Sequence, residues 1–300
     1  MKSIKDELKN GKVLLSDGGW GTYLYAKGLQ MGDCPELWND THRNDVLEIA
    51  KTYIDAGADM IETNSFGGSK IKLSQYNLED KTYELNKLAA EISREAAGES
   101  KYVIGSVGPT GKFLLTGEVT EEELYDSFKI QIEGLRDGGV DAICIETFYD
   151  TLEAEIAIKA AKENSDLEII TTFTFEIAID GTYNTMMGIT PTQMAEKLTE
   201  AKVDIFGTNC GNGFEGMIEI VKEIRKANSE MPILVHANAG LPIEADGKLV
   251  YPDSPERMAE LTPQLIEAGA NIIGGCCGTS PEHISAIRTV VDKINFSFHK

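Results

Sequence analysis

The sequence predicts a (β/α)8 barrel built as a single domain over residues 1–300. Three observations lead there. Eight short apolar runs alternate with eight helix-like stretches along the chain. Four of the helix-to-strand junctions repeat one local pattern. Polar and thiol side chains gather at the ends of the apolar runs, where a barrel places its mouth.

The apolar runs fall at 12–18, 59–66, 102–109, 142–148, 169–175, 205–210, 233–239 and 271–276. Unbroken apolar runs of this length suit strands buried on both faces, as in a parallel sheet. The helix-like stretches lie at 45–56, 82–97, 121–137, 151–163, 191–201, 214–227, 255–268 and 281–294. The repeated junctions are Gly57-Ala58-Asp59, Gly139-Val140-Asp141, Lys202-Val203-Asp204 and Gly269-Ala270-Asn271, each leading into an apolar run. Each reads as a helix C-terminus, a tight turn and a short buried strand, with Gly able to take the left-handed conformation that ends a helix. Alternation alone also permits an open, doubly wound sheet, which stands as the second reading. No Pro-, Gly- or Ser-rich linker divides the chain.

Composition narrows the function class. With 42% hydrophobic and 26% charged residues, the chain has the balance of a soluble globular protein. No apolar stretch is long enough to span a bilayer, and Met1–Lys12 lacks the apolar segment of a secretory signal, so a cytoplasmic location is expected. A net charge of −21 argues against nucleic acid and anionic membrane surfaces as partners; its main effect is on solubility. Five cysteines, an odd number, fit a reducing compartment better than a disulfide framework.

Three of those cysteines form the principal candidate site. Cys210 ends the sixth run, and Cys276 and Cys277 end the eighth. Neighbouring strand residues point to opposite faces, so Cys276 and Cys277 converge only where the strand breaks, and Gly274, Gly275 and Gly278 permit that break. Three thiolates match a zinc site with one open coordination position, and a soft all-sulfur set suits a thiol as the fourth ligand. Two plainer readings accompany this one: buried cysteines acting as small apolar residues, and a vicinal Cys276–Cys277 disulfide. Cys144, inside the fourth run, is read as a core residue, and Cys34, in a loop, as incidental.

Other polar residues at run ends are Asp17, Glu62, Thr63, Asn64, Ser106, Glu146, Thr147, Asn209 and Asn238. His236 reads as a core or rim histidine, Trp20 and Tyr23 as packing residues with a cover over the substrate as the second reading, and His283 as a surface or capping residue.

Three motifs carry a family resemblance: Asp17-Gly18-Gly19-Trp20-Gly21-Thr22, Asn209-Cys210-Gly211 and Gly274-Gly275-Cys276-Cys277-Gly278-Thr279. In this order, over nearly the whole chain, they resemble the homocysteine S-methyltransferase family. Glu146–Leu152, Ala237–Pro242 and Cys276–Ile284 are most similar to the homocysteine-binding domain of cobalamin-dependent methionine synthase.

The resemblance implies a zinc-dependent barrel that methylates homocysteine to methionine, with one Zn2+ per chain on Cys210, Cys276 and Cys277. It further implies that Glu146 receives the substrate ammonium, while Asp17 and the backbone of Gly18 and Gly19 hold the amino-acid end; Glu62 and Asn64 are taken to line the mouth. Thr147 stands where betaine-using relatives carry an aromatic residue, which weighs against a betaine cage. A cobalamin-binding Asp-x-His-x-x-Gly loop is matched only by the imperfect Asp40-Thr41-His42-Arg43-Asn44-Asp45 string, read as chance. Methylcobalamin is therefore expected on a separate corrinoid protein, with S-methylmethionine or betaine as free-donor alternatives. A non-catalytic zinc- or thiol-binding barrel also stays open. A Schiff-base lyase is disfavoured because no Lys ends a strand.

Overall fold

The computed structural model describes residues 3–9, 11–245 and 248–298; Met1, Lys2 and Asn10 of the polar N-terminal stretch lie outside the described residues. Eight strands form one sheet: β1 (Leu14–Leu15), β2 (Met60–Glu62), β3 (Tyr102–Val107), β4 (Ala142–Phe148), β5 (Glu168–Phe173), β6 (Ile205–Asn209), β7 (Ile233–Ala237) and β8 (Ile272–Gly275). Each neighbouring pair is parallel, in the order β1–β8–β7–β6–β5–β4–β3–β2. The two ends of that order meet: the Asp59 amide donates to the Leu15 carbonyl at 2.6 Å, and the Glu62 amide to Asp17 Oδ2 at 2.8 Å. The sheet is thus a nearly closed barrel and not the open alternative.

Helices follow the strands on the outside: α1 (Arg43–Asp55), α2 (Thr82–Ala97), α3 (Glu121–Gly138), α4 (Thr151–Asn164), α5 (Pro191–Glu200), α6 (Phe214–Ala227), α7 (Pro255–Ala268) and α8 (Pro281–Phe298). None of the described helices is long and apolar enough to cross a membrane.

The repeated junction motif has a structural cause. Gly57, Lys202 and Gly269 all turn left-handed, with φ of 103°, 55° and 119°, and Gly139 does so at 95°. The Asp or Asn two residues later then grips the preceding strand. Asp59, Asp141, Asp204 and Asn271 accept from the amides of Leu15, Val103, Ile169 and Ile233 through their side chains. Their own amides donate back to those residues' carbonyls. Each clamp has a basic partner: Arg288 and Lys101 on Asp59, Arg94 on Asp141, Lys5 on Asp204 and Arg225 on Asn271. Every even-numbered strand is therefore stapled to the odd-numbered strand before it at the barrel's lower end.

Side-chain alternation divides the interior into layers. Leu14, Met60, Ile104, Cys144, Ile170, Ile205, Leu234 and Ile272 fill the lower barrel, and Ile4 and Leu8 of an N-terminal helix (Ile4–Leu8) plug it from below. Cys144 is a fully buried member of this core, as expected. Two residues further up the same inward rows stand Ser16, Glu62, Ser106, Glu146, Thr172 and His236, all buried and polar. Outward residues such as Leu15, Ile61, Val103 and Ile143 join the helices in the main core.

The strands are shorter than the apolar runs. Residues 63–66, 108–109, 174–175, 238–239 and 276 leave the ladder and become loops at the mouth. The N-terminal plug, a helix at Trp20–Lys27 and two hairpins, Glu176–Ile177 with Tyr183–Asn184 and Ile243–Ala245 with Lys248–Val250, are additions to the sequence expectation.

Candidate active site

A cavity of about 320 Å³ opens at the strand C-termini, at the small end of small-molecule pockets. Gly18, Gly19, Glu62, Asn64, Glu146, Cys210, Cys276 and Cys277 all line it, together with Trp20, Ser106 and His236. Eight of the nine sequence-predicted site residues therefore converge on one space.

Asp17 does not line it. Its side chain is fully buried, with Oδ2 accepting from Trp20 Nε1 at 2.7 Å and from the Glu62 amide at 2.8 Å. Burial raises its carboxyl above the usual range, opposed by His236 and by these hydrogen bonds. Asp17 braces β1 against β2 and anchors Trp20, whose indole forms cavity wall in addition to packing. Gly19 is spatially required here: a Cβ on it would lie 2.5 Å from the Cys276 carbonyl oxygen.

The thiol end is shaped by strand termination. β8 stops at Gly275, and Cys276 and Cys277 lie in the turn beyond it, where the Thr279 amide closes onto the Cys276 carbonyl at 3.1 Å. Gly278 completes that turn with φ 81°. Cys210 is itself left-handed at φ 58°, held by its amide to the His236 carbonyl at 2.9 Å. The three sulfurs fall within 4.8 Å of one another. Thiolates around a tetrahedral zinc stand about 3.8 Å apart, which this envelope accommodates. Hydrogen bonds from Cys210 and Cys276 lower the Cys277 thiol, and the same contacts raise Cys276. Asn238, just past β7, has a buried Oδ1 with no hydrogen-bond partner but does not line the cavity. A soft three-sulfur set with an unclosed fourth position fits zinc.

The opposite end is acidic. Glu62, Glu146 and His236 each bring one donor atom within 4.8 Å of the others. Ser106 Oγ donates to Glu146 Oε1, and Asn209 Nδ2 donates to Oε2 at 3.2 Å. Burial, then the neighbouring Glu62, raises Glu146 well above the carboxylate range; burial, then Asp17, does the same for Glu62. Burial lowers His236, keeping the imidazole neutral. His236 Nδ1 stands 3.3 Å from Glu62 Oε1. Glu62 Oε1 and His236 Nε2 are both buried without a hydrogen-bond partner.

Thr147 adopts φ 62°, a strained conformation for a β-branched residue. Asn209 holds it there: Oδ1 accepts the Thr147 amide at 2.8 Å, and Nδ2 donates to Thr147 Oγ1 at 2.7 Å. The backbone reversal coincides with the irregularity in the β4–β5 register between Ile145 and Phe148.

Remaining expectations resolve individually. Asn64 spends its amide on the Pro35 carbonyl and Asn39 Oδ1. Cys34 is buried and donates to Glu36 at 3.4 Å. His42 of the imperfect cobalamin-like string stacks on Trp38 at 4.3 Å. His283 caps α8 through the Ser280 amide but is buried, with Nε2 3.0 Å from the Asp253 carbonyl, so it is not a surface residue. Tyr251 escaped the sequence reading: it packs against Gly278, and its hydroxyl helps lower Cys277. The only advance signal for it was its place in the loop after β7.

A family model described as homocysteine S-methyltransferase matches residues 14–291. Methionine synthase of Mycobacterium leprae (strain TN) is 32% identical over 300 residues, covering 95% of this chain and 25% of that protein. Methionine synthase of Mycobacterium tuberculosis (strain ATCC 25618 / H37Rv) is likewise 32% identical, covering 94% and 25%. The chain thus spans about a quarter of the length of the curated relatives it matches. The metallated form of the homocysteine methyltransferase MmuM from Escherichia coli has the same fold, with a TM-score of 0.78 at 23% identity over 95% of this chain and 99% of that one.

Proposed function

We propose that this chain, which belongs to the homocysteine S-methyltransferase family, methylates the thiol of homocysteine to give methionine, with one zinc ion held by Cys210, Cys276 and Cys277. The observation that carries the reading is a single cavity with three thiols at one end and two buried carboxyls at the other. An amino acid bearing a thiol matches both ends.

Bound zinc would lower the pKa of a coordinated thiol and leave its sulfur nucleophilic. The chain's own residues do the rest. Glu146, fixed by Ser106 and Asn209, receives the ammonium with Glu62 beside it. The substrate carboxylate falls to the first amides of the Trp20–Lys27 helix, which by position lack intrahelical partners, and to the Gly18–Gly19 turn that leads into it. The Gly19 amide itself is occupied by Thr279 Oγ1 at 2.9 Å. Held at both ends, the sulfur faces the mouth. In the displacement, sulfur bonds to the methyl carbon as the donor–methyl bond breaks and its electron pair leaves with the donor.

The donor in this reading is a methylated corrinoid protein in the cytoplasm. Two observations support the corrinoid donor: the curated relatives that the chain resembles are methionine synthases, and Thr147 stands where betaine-using relatives carry an aromatic residue. The test measures zinc per chain, then methionine formation from homocysteine with methylcobalamin, S-methylmethionine and betaine in parallel. Zinc near one per chain and turnover with methylcobalamin are expected. Turnover confined to a free donor overturns the corrinoid assignment, and no methionine from any donor overturns the activity.

A further inference from the structure

We propose that Glu62 and Glu146 act as one ammonium receptor that holds a shared proton while empty and expels it when an amino acid binds. The inference rests on the functional reading above and adds a second receptor group and a proton balance to it.

Glu146 has part of its accepting capacity already spent, with Ser106 donating to Oε1 and Asn209 to Oε2. Glu62 Oε1 is the open acceptor: buried, without a hydrogen-bond partner, and on a residue that lines the cavity. Glu62 comes from β2 and Glu146 from β4, and both stand on the inward polar layer with donor atoms within 4.8 Å.

The charges around the pair make the empty state acidic. β1 adds Asp17, β3 the neutral Ser106, β4 the buried thiol Cys144, and β6 the amide of Asn209; β7 adds His236, neutral by burial. Tyr53, on α1, lies near Asp17 and stays protonated by burial. The thiols occupy the other end. Among the described residues, no Lys or Arg lines the cavity. Two carboxyls this close, both buried, do not both ionise, so one proton stays with the pair. An ammonium supplies the missing positive charge in its place. The balance is one ammonium in and one proton out to solvent, with both carboxylates then ionised.

The test uses zinc-loaded protein and methionine, whose thioether has no proton to lose and whose amine is already protonated at neutral pH. Calorimetric titration at pH 7 in buffers of different ionisation enthalpy counts the protons. About one proton released per methionine is expected, with affinity rising up to about tenfold per pH unit while the pair retains its proton. Glu62→Gln should release none and show a flat pH profile. Infrared difference spectra of the wild-type protein give a readout independent of any variant: a protonated-carboxyl stretch present when empty should vanish on methionine binding. Methionine binding without proton release, or with that stretch unchanged, overturns this inference and leaves the methyltransferase reading intact. No binding of methionine or homocysteine overturns both.

Discussion

Asn209 Nδ2 stands 3.2 Å from Glu146 Oε2, and the residue that follows Asn209 in the chain is Cys210. One side chain therefore ties the Glu146 carboxyl to the strand end that carries Cys210. It also holds Thr147 in its left-handed turn. Asn209→Ala strips several buried hydrogen bonds at once and should cost about 2–4 kcal/mol of stability. Urea melts measure that loss. Zinc content should be retained and the KM for homocysteine should rise, a pattern that general unfolding would not produce.

The two ends of the cavity should separate under mutation. Replacing any one of Cys210, Cys276 or Cys277 with Ala should weaken zinc binding by more than about 100-fold, read by competition with a chromogenic chelator. Glu146→Gln should do the reverse. It should keep zinc and lose about 10- to 100-fold in homocysteine affinity, the worth of one charge-assisted hydrogen bond. Zinc retained by a triple Ala variant would remove the cysteines from the metal site.

Gly278 links the vicinal cysteines to the loop after β7. Its φ is 81°, and a Cβ there would lie 2.3 Å from the Tyr251 ring. Gly278→Ala should destabilise the protein by about 1–3 kcal/mol and speed zinc loss to a chelator, because the turn that converges Cys276 and Cys277 must shift. A wild-type zinc off-rate in this variant would show that the turn is not what positions the sulfurs.

Burial raises Glu62 above its ordinary value of 4.5. An acid with a raised folded-state pKa favours the folded state fully below the unfolded value, and that contribution declines as pH climbs toward the folded value. Glu62→Gln removes the penalty. Its melting temperature should exceed the wild type's by about 2–4 °C at pH 8 and converge with it near pH 4. An offset equal at both pH values would contradict the assignment.

The barrel and its thiol site were legible because both follow from repeated local chemistry. Helices Thr82–Ala97, Phe214–Ala227 and Pro255–Ala268 agree with their sequence ranges to the residue, since Gly or Pro marks at least one end of each. The cysteines were readable because thiols at two strand ends have few other uses. Asp17 was misplaced for a geometric reason. Leu14 and Ser16 face into the barrel, so Asp17 takes the opposite side, a parity that strand counting alone ignores. The same parity selects Glu62, Ser106, Glu146 and His236 as inward neighbours. The Ile4–Leu8 plug was not legible because five residues in a charged stretch carry too short a helical period.

That plug leaves the mouth at the strand C-termini as the entrance that the described residues show. Ile4 and Leu8 seal the bottom, and the polar layer begins only above the apolar rows. Two reactants that share one doorway cannot come and go independently: the one seated deeper must enter first and leave last. Under the proposed reading, the steady-state kinetics should be compulsory-order, with the thiol acceptor loading before the methyl donor and methionine departing after the demethylated donor.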